Sequence, residues 1–195
     1  MKYSSQILRL YFLVISVLLF LGCSDDEDIN PYEQYYGIYE ITRFESNIAV
    51  DLNDDGVNST NLFDEILQIS SSYDLRIKEA QYTDDDIFVD MSFPKTNISF
   101  DNPFNPQGTV SFTDYGAGIG FANFNNGAFF FETDQYIENA YTDNEPDDRI
   151  VYFLTGLVIN EDETFSITLN KPFYDFAMGR WIYLEIEVLY ERIVR

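Results

Sequence analysis

Along most of this chain apolar and polar residues alternate one by one, the period of a strand with one buried face and one wet face. Tyr73, Leu75 and Ile77 alternate with Asp74, Arg76 and Lys78; Ile87, Val89, Met91 and Phe93 alternate with Phe88, Asp90 and Ser92. Phe165, Ile167 and Leu169 alternate with Thr164, Ser166 and Thr168. Near the end Ile182, Leu184, Ile186, Val188 and Tyr190 share one face, while Glu185, Glu187 and Glu191 share the other. From Pro31 onward long helical periodicity is nearly absent. One-sided strands of this kind belong to an antiparallel sheet closed or stacked on itself.

Turn residues punctuate the pattern. Gly118 to Phe124, then Asn125-Asn126-Gly127, then Ala128 to Thr133 predicts a hairpin, with Asn-Gly supplying the positive φ angles of a type I′ turn. Val151 to Ile159, then Asn160 to Glu163, then Thr164 to Asn170 predicts a second. With a first strand over Gly37 to Phe44, about eight to ten strands are expected. Asn61 to Gln68 predicts one short helix, capped by Ser59 or Thr60. The fold class is therefore all-β: an antiparallel up-and-down barrel, with a β-sandwich as the alternative. No repeat or linker divides the body, so residues 32–195 form one domain.

The amino terminus follows different rules. Met1 to Arg9 carries Lys2 and Arg9 and no acid, and Leu10 to Leu21 is an apolar run broken only by Ser16. A membrane span needs about 20 apolar residues, so this shorter run has the form of a signal-peptide core. Phe20-Leu21-Gly22-Cys23 resembles the lipobox of bacterial lipoproteins, which implies cleavage after residue 22 and lipidation of Cys23. Ser24-Asp25-Asp26-Glu27-Asp28 resembles the acidic export signal of Bacteroidetes lipoproteins, which implies an outer-membrane protein facing the cell surface; a plain spacer facing the periplasm is the alternative. Residues 23–31 are physically a solvated, self-repelling tether whose anchor is the lipid bilayer.

Composition closes several routes. Of 195 residues 34 are Asp or Glu and 11 are Lys or Arg, a formal charge of −23; losing Lys2 and Arg9 with the signal makes the mature chain more negative still. A surface this acidic repels phosphate backbones, which argues against nucleic acid as a partner. With no histidine there is no Ser-His-Asp triad and no histidine-ligated zinc, and one cysteine excludes an intrachain disulfide. A pair of carboxylates is the acid–base chemistry left, but nothing in the spacing nominates such a pair, so no catalytic residue is assigned.

The segment Tyr36-Gly37-Ile38-Tyr39-Glu40-Ile41 resembles the Gly-x-Trp opening of lipocalin-type barrels. Val50 to Leu62, reading VDLNDDGVNSTNL, is similar to the Asp-Leu-Asn-x-Asp-Gly…Ser-Thr-Asn-Leu signature of lipocalin-like (calycin-type) lipoproteins of Bacteroidetes. The resemblance implies a closed barrel with an apolar cup and no defined activity. It also implies that Arg192, on the inward parity of the last strand, stacks on Tyr39, which stands where the family has Trp. Snorkelling of Arg192 at the strand end is the alternative.

Asp51, Asn53 and Asp55, followed by Gly56, match the first half of an EF-hand calcium loop. Val57 would give the backbone carbonyl and Ser59 falls at the ninth place. The twelfth place, normally a bidentate Glu, is Leu62, leaving Asp64 or Glu65 from the next helical turn. Two readings stand: a structural calcium ion, or an Asx-rich turn leading into a helix. Asp84 to Asp86 and Asp143 to Asp148 lack ligand spacing and have the form of solvated loop tips.

Aromatic residues are abundant, with 18 Phe, 15 Tyr and one Trp. Most belong in a sheet core. Phe129-Phe130-Phe131 must send a ring to each face, and Trp181 and Tyr183 share the outward parity of the last strand, an exposed aromatic patch. The expected function is a membrane-anchored module that binds a small apolar or amphipathic ligand in the barrel. The alternative is a surface interaction or accessory protein of an outer-membrane complex, with a filled core.

Overall fold

The computed structural model describes residues 30, 32–66, 74–80, 87–99, 109–131, 134–139, 141–142 and 149–193. Its contacts divide the chain into Met1–Gln34 and Tyr35–Arg195, and the barrel is the second unit. Twelve strands are described: β1 (Gly37–Val50), β2 (Ser59–Asn61), β3 (Leu75–Glu79), β4 (Ile87–Ser99), β5 (Thr109–Asn125), β6 (Ala128–Phe131), β7 (Gln135–Asn139), β8 (Tyr141–Thr142), β9 (Arg149–Leu154), β10 (Leu157–Ile159), β11 (Phe165–Asp175) and β12 (Arg180–Arg192). A single helical turn, α1 (Leu62–Glu65), follows β2. Among the described residues no helix is long and apolar enough to cross a membrane.

Eight strands close a ring in chain order: β1, β3, β4, β5, β6, β10, β11, β12 and back to β1, each antiparallel to the next. This is the up-and-down barrel, and closure removes the two free edges that a sandwich would keep. The other four strands lie outside the ring. β2 pairs with β1 and β8 with β4, while β7 and β9 pair with each other and β9 continues along β11.

The expected alternation is present in β3, where Leu75 and Ile77 are buried and Arg76 and Lys78 exposed. It is equally clear in β11 and in β12 from Leu184 to Glu191. The first hairpin turns at Asn126 and Gly127, both at positive φ (50° and 79°), the type I′ geometry expected.

Three expectations are corrected. The single strand over 151–159 is broken at Thr155-Gly156 into β9 and β10. Leu154 pairs with Leu169 and Val158 with Ser166, so one extra residue bulges on that side. A Cβ on Gly156 would stand 3.1 Å from the Phe129 carbonyl and 3.2 Å from the Phe130 ring, so the bulge leaves room for no side chain there. The helix is one turn rather than the whole of 61–68, and its N-cap is Asn61, whose Oδ1 accepts from the Phe63 amide at 3.2 Å. The expected caps Ser59 and Thr60 stand two residues and one residue too early for a helix that starts at Leu62, and the Ser59 Oγ accepts instead from the Asn61 amide and donates to Asp64. Finally β1 runs on past Phe44 to Val50 and delivers the chain directly into the acidic loop.

Buried side chains of the described strands line the inside of the ring. At the end where β1 begins, five rings meet: Phe165 lies 4.8 Å from Tyr39, 6.1 Å from Phe129 and 6.2 Å from Tyr35, and Phe124 lies 5.1 Å from Phe129. Most of these contacts are tilted or edge-to-face, the arrangements favoured by the ring quadrupole. At the other end Val50, Leu52, Leu62 and Ile66 are buried, so the loop and α1 cover the barrel there.

Candidate functional site

The acidic loop connects β1 to β2 and is shaped by its own hydrogen bonds. The Asp51 carboxylate accepts from the amides of Asp55 (3.3 Å) and Gly56 (3.0 Å); Asn53 Oδ1 accepts from Asp55 (3.0 Å), and Asp55 Oδ1 from Val57 (2.7 Å). Asn53 Nδ2 donates to Asp55 Oδ2 at 3.2 Å. Asp54 and Gly56 take the positive φ angles (61° and 80°) that the tight turn needs. Val57 itself is 63% exposed.

Glu65 is drawn back onto this loop by α1. It is 2% exposed, and its Oε2 accepts from the Leu52 amide at 2.8 Å. Burial pushes its pKa up, and the nearby charges of Asp55 and Asp51 push it further, against the pull of the Leu52 amide. Asp51, Asn53, Asp55, Val57, Ser59 and Glu65 thus belong to one compact segment. Among the described residues, however, no group of three or more acidic, cysteine or histidine side chains stands in a metal-holding arrangement.

Gly37, Tyr39 and Arg192 meet where β1 and β12 pair, Tyr39 lying opposite Arg192. The Arg192 guanidinium donates to the Tyr36 carbonyl and lies 5.8 Å from the centre of the Tyr39 ring. Arg192 is exposed, so it makes this contact from the strand end rather than from inside the barrel. A Cβ on Gly37 would stand 3.1 Å from Arg192 Nε, so a larger residue there would push the guanidinium aside. Tyr39 donates its hydroxyl to the Tyr35 carbonyl at 2.7 Å. These contacts close the seam between the first and last strands.

Inside the barrel Phe44, Leu75, Val89, Met91, Leu169, Phe173, Leu184, Ile186 and Val188 have no accessible surface. Lys171 and Asp175 are also fully buried on the inward face of β11, with Lys171 Nζ 5.8 Å from the Phe173 ring centre. Sequence reasoning missed both, because a charged residue at an inward position looks like a break in alternation.

Outside, Phe130 is 47% exposed while Phe129 is buried, as the triple-Phe run requires. The hairpin joining β11 to β12 carries the expected aromatic patch. Tyr183 is 56% exposed, and Trp181 is half-buried because Tyr174, its cross-strand partner, packs edge-to-face at 5.9 Å. Phe176 extends the group, 5.0 Å from Tyr174, and its amide donates to the Asp51 carbonyl at 2.8 Å, which ties the hairpin to the acidic loop.

Cys23 and the signal segment lie outside the described residues, as do Asp84 to Asp86 and Asp143 to Asp148. No protein-family model matches the chain, and neither a curated protein nor a solved structure matches it significantly, so the comparisons offer no positive indication of catalysis.

Proposed function

We propose that this barrel acts through its outer surface, as an interaction or accessory protein held to the outer membrane by acylated Cys23 and facing the cell surface. The supporting observation is the packing inside. A ligand cup of the usual size is roughly 300 Å³ or more and leaves solvent-sized gaps against the side chains that line it. The inward side chains of β1, β3, β4, β11 and β12 named above have none. On this reading the chain carries no catalytic residue, and the acidic surface keeps an exported domain soluble and off anionic headgroups.

The reading is tested with N-phenylnaphthylamine, an apolar probe whose fluorescence rises on burial. No saturable rise is expected with the mature protein. A stoichiometric rise displaced by a fatty acid would instead establish the lipocalin-like ligand module.

A second proposal concerns the acidic loop, which we read as a structural calcium site. It is favoured by Glu65, a buried carboxylate that feels the charges of Asp55 and Asp51, a repulsion that a divalent cation would relieve. Melting with calcium and with chelator tests it.

A further inference from the structure

The hairpin of β11 and β12 turns through Phe176 to Gly179, closed by the pair Asp175 and Arg180. Asp175 Oδ1 accepts from the Met178 amide at 3.2 Å, and Gly179 has φ 63°. The tip is therefore a firm turn that presents side chains in a fixed order. On its outward face stand Tyr174, Trp181 and Tyr183, and Met178 is 52% exposed at the turn. The turn lies at the far end of β12 from Arg192, which faces the start of β1. About nine residues of strand, roughly 30 Å, separate Tyr183 from Arg192.

Exposed aromatic and methionine side chains on a rigid hairpin have the composition of a binding centre, where Trp and Tyr supply large contact area at little cost in side-chain freedom. The charge around them sets the partner. Glu185 continues the same outward row from Tyr183, and the acidic loop with Asp54 and Asp55 is bonded to the hairpin through Phe176. Glu187, the next in the row, is bridged to Arg43 at 2.7 Å. Arg180 is the one cation on the hairpin between β11 and β12 themselves apart from buried Lys171 and strand-end Arg192. An apolar centre with a carboxylate rim complements a surface that offers cations beside apolar groups.

We propose that the outward aromatic face of this hairpin is the docking surface for a protein segment bearing Lys or Arg beside apolar side chains. The proposal rests on the reading of the barrel as a surface-acting protein and names where and with what it acts. Ring geometry favours a protein segment over a glycan. Tyr174 meets Trp181 at 77° and Phe176 at 74°, so the rings form notches that receive side chains rather than a flat tier on which sugar rings stack.

Trp181 is the only tryptophan of the chain, so its fluorescence reports on this face alone. The mature protein is titrated with three Trp-free octapeptides alternating leucine with arginine, serine or glutamate, and binding is read both from Trp181 emission and from anisotropy of labelled peptide. The arginine peptide is expected to bind saturably at low salt, to weaken about tenfold at high salt, and to bind about tenfold less tightly to Tyr183→Ser. Glu185→Gln should flatten the salt dependence, while Phe130→Ser on β6, exposed and away from this hairpin tip, should change nothing. All three altered residues are exposed, and an unchanged melting temperature verifies folding. Three results would overturn the proposal: no saturable binding by either readout, equal binding of the serine peptide at all salts, or full affinity in Tyr183→Ser. A saturable shift with neutral dextran in place of the peptide would overturn it in favour of a glycan surface. Failure here leaves a solid barrel standing, whereas uptake of N-phenylnaphthylamine removes the surface reading itself, so the two failures are distinguishable.

Discussion

Replacing Phe165 by alanine is expected to cost about 3–5 kcal/mol of stability, the range for removing a large ring from a packed interior. Phe165 is 1% exposed and touches rings from two other parts of the barrel, Tyr39 of β1 and Phe129 of β6, as well as Tyr35 just before β1. Its loss removes transfer energy, several ring–ring contacts and the filling of the barrel end, and the neighbouring strands cannot collapse inward because their hydrogen bonds fix the ring circumference. For a domain of this size the melting temperature should fall by roughly 10 °C. Thermal and urea unfolding followed by circular dichroism measure it, with Phe153→Ala as the control. Phe153 is 42% exposed, so that control should cost well under half as much. A loss below about 1 kcal/mol for Phe165→Ala would mean that this end is not tightly packed, and the filled-core reading would fall with it.

The barrel was legible where each strand had one wet face. β3, the first half of β11 and β12 from Leu184 onward alternate cleanly because most of their outward positions are polar: Arg76 and Lys78, Ser166, Thr168 and Asn170, and Glu185, Glu187 and Glu191. β5 was legible only from Gly118 on. Its earlier stretch, Thr109 to Ala117, has no sustained alternation, and pairing with β4 makes it a strand. The end of β1 was hidden for a similar reason. Asn47, Ile48 and Ala49 have no alternation, and the segment is held by β2 and by Asn47 Oδ1, which accepts from the Glu185 amide at 3.2 Å. Closure itself is a long-range fact: the pairing of Tyr39 with Arg192 joins residues at opposite ends of the domain, and no local period encodes it. Of the candidate site, the spacing Asp51, Asn53, Asp55 gave the loop its shape correctly. The place of Glu65 depended on where α1 starts, and moving the N-cap from Ser59 or Thr60 to Asn61 changes which side of that turn faces the loop.

Calcium in large excess is expected to raise the melting temperature by roughly 5–10 °C over chelated protein, since a ligand at a hundredfold its dissociation constant adds about 2.7 kcal/mol to the native state. Glu65 supplies the discriminating variant. Its folded pKa stands above the ordinary value of 4.5, chiefly through burial and then through Asp55 and Asp51. A carboxyl of that kind holds its proton more tightly when folded. Its contribution to stability is therefore full below the unfolded pKa and is lost as pH rises from about 4.5 through the raised folded value. In chelator, then, wild type should lose stability against Glu65→Gln over that window, because the amide keeps the size and an acceptor for the Leu52 amide but carries no charge. In calcium the order should reverse at neutral pH, where the ion is stabilised by the charge that the variant lacks. Urea midpoints of the two proteins at acid and neutral pH, each with calcium and with chelator, resolve the four cases. Equal calcium shifts in wild type and Glu65→Gln would take Glu65 out of the site, and no shift in either would leave the segment as a turn held by its own amides, Asp51 accepting from Asp55 and Gly56.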